Sequence, residues 1–237
     1  MKLGFPLTSN RAGPGISTFG MFLTALCLML AAVLCAAWYW LALRHNRRRA
    51  HQVLRWIEFA LGGQGQPTGV RWIARSQFKV PLRLSCGVFH RASVLVDLFP
   101  REMPLRWIIG RLNGQREVLI FQADLDLPPA FSLHVHNFRW FARSNRTAPK
   151  QEASWGFEHS GPFVISTRMS WQKEISSAMT SLSRGENREF LDISFQRRSP
   201  HFSATLPLEA IAPGSPIRGC MFETMRELAA SSSASLS

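Results

Sequence analysis

Between Phe19 and Leu43 apolar side chains occupy almost every position, and no Asp, Glu, Lys or Arg interrupts them. As a helix this run is about 37 Å long, more than the roughly 30 Å core of a bilayer. Hydrocarbon offers no partner to backbone polar groups, and a helix pairs them internally. Thr24, whose hydroxyl can bond back to the preceding turn, fits that setting. Trp38, Tyr39 and Trp40 stand together near the far end, where amphipathic rings favour the headgroup level. The pattern predicts a single membrane-spanning helix over 18–43, after a flexible tail over 1–17.

Helical spacing continues past the span. Val53, Leu54, Ile57, Ala60 and Leu61 share one face, with Trp56 and Phe59 beside it. Residues 44–61 are therefore predicted to form a basic amphipathic juxtamembrane helix. It would extend the span, lie on the headgroups, or pack against the domain that follows. The glycines of 62–69 predict a flexible linker. They lack G-x-G-x-x-G spacing and a closing Lys-Ser/Thr, so they do not read as a phosphate loop.

From Val70 the period becomes two. Phe78, Val80, Leu82 and Leu84 alternate with Lys79, Pro81 and Arg83, and Pro81 points to a sheet edge or a strand start. Ser93 to Phe99 is a second strand. Asn113-Gly114, flanked by Leu105–Leu112 and Glu117–Leu127, predicts a hairpin, because both residues tolerate positive φ. Phe131–Arg143 and Phe163–Ile165 read as extended. A helix is expected from Ser170 to Gly185, strands at Phe190–Gln196 and Phe202–Leu208, and a last helix from Ser215. Hairpin chemistry dominates and β-α-β alternation is missing. The fold class is thus α+β: one N-terminal transmembrane helix, then a largely antiparallel sheet domain over 70–229 with two or three packed helices, and a disordered tail over 230–237.

Charge adds orientation. The formal charge of the 237-residue chain is +13. All 15 acids lie beyond Arg44, whereas only Lys2, Arg11 and Arg44 among the bases do not. Arg44, Arg47, Arg48 and Arg49 follow the span at once, so the positive-inside rule puts the carboxyl-terminal domain in the cytoplasm and the amino tail outside. A cleaved signal peptide has a shorter apolar region and a small-x-small site; here Trp38 follows Ala36-Ala37. A lipoprotein site at Cys27 or Cys35 is disfavoured by Leu26 and Leu34 before them. Cys27, Cys35, Cys86 and Cys220 show no pairing or metal spacing, which suits a reducing compartment. Asn145-Arg146-Thr147 matches a glycosylation sequon without bearing on a cytoplasmic domain.

Candidate chemistry is sparse. Arg44, Arg47, Arg48, Arg49 and Arg55 are the expected lipid-headgroup contacts, each contributing roughly 1 kcal/mol near an anionic leaflet. The bilayer, with anionic lipid or an acidic protein, is the expected partner. His134 and His136 fall on one strand face and are weak metal candidates, in need of a third ligand from His90, His159, His201 or Asp97. Ser170-Trp171-Gln172-Lys173 matches S-x-x-K but has no S-D-N or K-T-G companion. Asp124 and Asp126, about 7 Å apart along a strand, resemble the solvated side of an arm more than an acid–base pair. Phe138 to Arg143 interleaves bases with aromatics as single-strand nucleic-acid surfaces do, echoed by Arg71-Trp72 and Arg106-Trp107, with no further signature. The expected role is a membrane-anchored, non-catalytic binding or scaffolding module needing no cofactor. The alternatives are an anchored hydrolase or metal enzyme using the strand histidines, and a tethered nucleic-acid binder.

Overall fold

Helix α1 (Thr18–Leu61) opens the structure, a computed structural model that describes residues 18–61, 63–85, 88–129, 132–137, 155–160, 163–168 and 190–211, with Met225, Arg226 and Ala229. The chain divides into two compact units, Met1–Leu41 and Ala42–Ser237. In the first, every described side chain from Met21 to Leu41 is exposed, including Leu28 at 72% and Phe22 at 69%. So many bare apolar groups are untenable in water and ordinary in lipid. The helix is long and apolar enough to cross a membrane. Thr24 Oγ1 donates to the Met21 carbonyl at 2.9 Å, as the sequence suggested.

The second unit begins with the rest of α1. Ala42, Asn46, Ala50, Val53, Ile57, Ala60 and Leu61 are buried, a stripe at steps of three and four. Of the three roles weighed for residues 44–61, two are realised together: they continue the apolar helix without a break and they pack against the domain. Arg44, Arg47, Arg48 and Arg55 occupy the opposite, exposed face.

The partner of that stripe is a sheet. The described strands are β1 (Gly65–Pro67), β2 (Arg71–Trp72), β3 (Gln77–Leu84), β4 (Phe89–Asp97), β5 (Val118–Leu125), β6 (Leu133–Asn137), β7 (Trp155–Ser160), β8 (Phe163–Arg168), β9 (Asp192–Phe195) and β10 (Phe202–Pro207). They pair antiparallel throughout, in the order β1-β3-β4-β5-β10-β9-β6-β8-β7, with β2 also on β3. The fold is thus α+β. Register carries one apolar face across it: Val80 opposes Val94, Val94 opposes Phe121, Phe121 opposes Ala204, and Ala204 opposes Ile193. Phe121, Phe202, Phe195 and Phe89 cluster at its centre, with ring centroids 5.0–6.0 Å apart. Ala50, Val53, Ile57, Ala60 and Leu61 of the α1 stripe, with Met225 and Ala229, belong to the same core. β4 enters it through a bulge between His90 and Ser93, where Arg91 has φ 46°. The extra residue resets the alternation, so Phe89 faces inward with Val94 and Val96.

Three expectations are corrected. Residues 105–112 are not a hairpin arm. They lie in helix α2 (Pro104–Leu112), with Pro at the start. Asn113-Gly114 ends that helix instead: Gln115 N–H donates to Gly110 O at 2.9 Å, Gly114 N–H to Arg111 O at 3.1 Å, and Gly114 has φ 67°. This is a Schellman cap, which uses the positive φ that the hairpin reading assigned to a turn. The linker over 62–69 is partly sheet, since Gly65–Pro67 pairs with Leu82–Leu84. A side chain at Gly65 would meet Leu84 Cδ2 at 2.6 Å, so glycine is what lets the strands approach. β7 was not read as a strand at all. The helix expected over 170–185, most of the last helix, and Cys86 and Cys220 lie outside the described residues.

A buried carboxylate ties α1 to the sheet end. Glu117, just before β5, has its side chain 9% exposed. Its Oε1 lies 2.8 Å from Arg101 Nη1 and accepts the Phe99 N–H at 3.3 Å; its Oε2 lies 3.7 Å from Arg49 Nε. Arg101 also donates to Asn46 Oδ1 at 3.1 Å, and Asn46 Nδ2 to Phe99 O at 3.4 Å. Arg49 donates to the Leu208 carbonyl at 3.4 Å.

Candidate functional site

Alternation along β6 sends Leu133 and Val135 into the core and leaves His134 and His136 on the opposite face. Register sets Asp192 of β9 opposite His136, and Ser194 opposite His134. On the other flank β8 places Ser166 opposite His134 and Val164 opposite His136. His136 Nδ1 lies 2.9 Å from Asp192 Oδ1. The two imidazoles stack, with centroids 6.0 Å apart and planes 14° from parallel. Ser166 and Ser194 are buried. The same transverse row continues through Ser203 and Gln122 to Ser93, so this face carries hydroxyls and amides where the other carries aromatics.

Burial pushes the His134 imidazole below its usual range; Asp192 opposes that shift and His136 adds to it. His134 is therefore neutral near pH 7. A hydrogen-bonded Asp–His pair fixes an imidazole's tautomer and orientation, as general-base and metal sites require; here His136 Nδ1 and Asp192 Oδ1 stand at ion-pair distance without the alignment of a hydrogen bond. Among the described residues no three His, Cys, Asp or Glu side chains gather as a metal set would. Of the other ligands considered for the pair, His90, Asp97 and His201 lie elsewhere. His90 meets Asp126, both well exposed. It and Asp97 belong to β4, four strands from β6 and about 19 Å away by strand spacing. His201 Nδ1 accepts the Leu125 N–H at 3.1 Å. His159 lies on β7.

His134 also sets a pH dependence. Its depressed folded value means that the unfolded chain takes up a proton first as pH falls below about 6.5. Stability is thus fully present above that pH and declines toward pH 5. His45 shifts the same way, through burial and then the charge of Arg101. Unfolding midpoints measured from pH 8 to 5 are expected to fall less steeply in His134→Gln than in the parent, with His45→Gln as the comparison that separates the two.

The arginines of the other candidate site are not equivalent. Arg44, Arg47, Arg48 and Arg55 are exposed, whereas Arg49 is engaged with Glu117, Leu208 and Gln52. Trp38, Tyr39 and Trp40 are exposed in the first unit. Asp124 is half-buried and Asp126 exposed on the β5 arm. Arg71-Trp72 lies on β2 and Arg106-Trp107 on α2, while Phe138–Arg143 and Ser170–Lys173 fall outside the described residues. Asp192 was missed by sequence reasoning, because it meets His136 only through the β9–β6 pairing. No family model matches the chain, and no curated protein matches it.

Proposed function

We propose that this chain is a single-pass membrane protein whose α+β domain is a binding module held at the cytoplasmic surface of the bilayer. One observation carries the reading: the exposed apolar run of α1 passes, within a single helix, into a stripe buried in the domain core, with Arg44, Arg47, Arg48 and Arg55 on the bare face. Those cations suit an anionic leaflet or an acidic protein. Trp38, Tyr39 and Trp40 suit the interface just before them. The full chain is expected to stay with membranes through alkaline carbonate washing, and its domain to resist protease added outside intact cells. Release by carbonate, or digestion of the domain from outside, refutes the reading.

A second reading rests on the His136–Asp192 contact beside a neutral His134. It makes the domain an anchored hydrolase or metal-dependent enzyme. Stoichiometric zinc in the purified full chain, lost in His136→Ala, would favour it over the binding module.

A further inference from the structure

The sheet has two ends, and α1 runs from one to the other. Asn46 and Arg49 meet Phe99, Arg101 and Leu208 at the first end, whereas Leu61 leads to Gly65, which opposes Leu84 at the second. The first end is where the domain's helix begins, and Asn46 lies three residues past the uncharged run that stops at Leu43.

The exposed apolar side chains of the domain are not scattered between the ends. Helix α2 joins β4 to β5 at the first end and bares Leu105 at 74%, Ile108 at 46%, Ile109 at 56% and Leu112 at 81%. The turn before β3 is at the same end, since the Leu98 N–H donates to Ser76 O; it bares Trp72 at 44% and Ile73 at 56%. Val70 and Met103 adjoin these two segments. Phe59 and Leu127 are the described exceptions. A soluble surface tolerates such residues singly, whereas two converging apolar projections mark a contact.

Charge selects the kind of contact. Arg106 and Arg111 lie on α2, Arg71 and Arg75 in the turn, and all four are exposed. Neither Pro104–Leu112 nor residues 70–76 contain an acid. Leu105, Ile108, Ile109 and Leu112 share the bare face of α2 and Arg106 and Arg111 flank it, while half-buried Trp107 and buried Gly110 lie on the opposite side; an apolar face edged by arginines is built for an anionic lipid interface. We infer that α2 and the 70–76 turn form a second membrane contact, dipping apolar side chains among the lipid chains while their arginines hold phosphates. This rests on the anchored reading above and adds to it: one helix alone leaves the domain free to swivel, and a second contact sets which face looks away from the membrane.

The test uses the full chain in bilayers of phosphatidylcholine and phosphatidylglycerol. A photo-crosslinking amino acid is placed singly at Leu30, Ile73, Leu112 or Leu127, and adducts are identified by mass spectrometry. Lipid adducts are expected at Leu30, Ile73 and Leu112, and none at Leu127, which is as bare as Ile73 (58% against 56%) but lies just past the far end of β5. Lipid adducts at Leu30 but not at Leu112 overturn the inference and leave the anchor standing. Adducts of Leu112 to another polypeptide, in place of lipid, overturn it in favour of a protein partner. Absence of lipid adducts at Leu30 refutes the anchor itself, independently of what Leu112 shows.

Discussion

Glu117→Ala is expected to destabilise the domain by about 3 kcal/mol, the order found when one member of a buried ion pair is removed. The carboxylate faces Arg101 at 2.8 Å and Arg49 at 3.7 Å, and it also accepts the Phe99 N–H. Without it two guanidinium groups, at 22% and 28% side-chain exposure, lose the carboxylate they share. For a domain of this size the thermal midpoint should drop by roughly 6–12 °C, read by thermal unfolding of the full chain in detergent. Glu117→Gln keeps an acceptor for Phe99 and should lose less. Equal midpoints for the parent and the alanine variant would mean that the carboxylate contributes nothing to holding α1.

Phe121→Ala should cost about 4 kcal/mol, the usual scale for deleting a buried aromatic. The ring is 0% exposed and touches Phe89 at 5.4 Å and Phe202 at 6.0 Å between centroids. It sits on an interior strand, between β4 and β10, so no neighbour can swing in to fill the void. Phe121→Leu retains most of the volume and should recover more than half of the loss. The double variant with Phe202→Ala should cost less than the sum of the two singles, because each vacates space that the other lined. Unfolding midpoints of the four variants decide it; a loss below about 1 kcal/mol for Phe121→Ala would show a looser core than the ring contacts imply.

Much of this fold was legible because burial writes itself into local periods. The uncharged run, the helical stripe to Leu61, and the alternation through Phe78, Val80 and Leu82 each need only nearby residues, and each element is where its period put it. Asn113-Gly114 was ambiguous for a physical reason. A type I′ turn and a Schellman cap ask for the same left-handed backbone, and only the four apolar residues before it, exposed on α2 and unpaired as a strand, tell them apart. The site was legible by half. Strand parity alone puts His134 and His136 on one face. Their neighbours Asp192, Ser194 and Ser166 come from strands far along the chain, and no local pattern announces which strand will lie beside which. Likewise the inward duty of Arg49, beside outward Arg47 and Arg48, depends on where Glu117 ends up in space.

The outer side of β3 carries a last consequence. β1 covers Leu82–Leu84 and β2 covers Phe78–Lys79, each only three or two residues long, and between them Pro81 offers a carbonyl to Thr68 but has no N–H to give. An incoming extended chain therefore finds no continuous ladder of donors on which to template itself. On the anchored reading, which would crowd copies on a two-dimensional surface, this flank is guarded against fibril-like stacking by backbone chemistry alone.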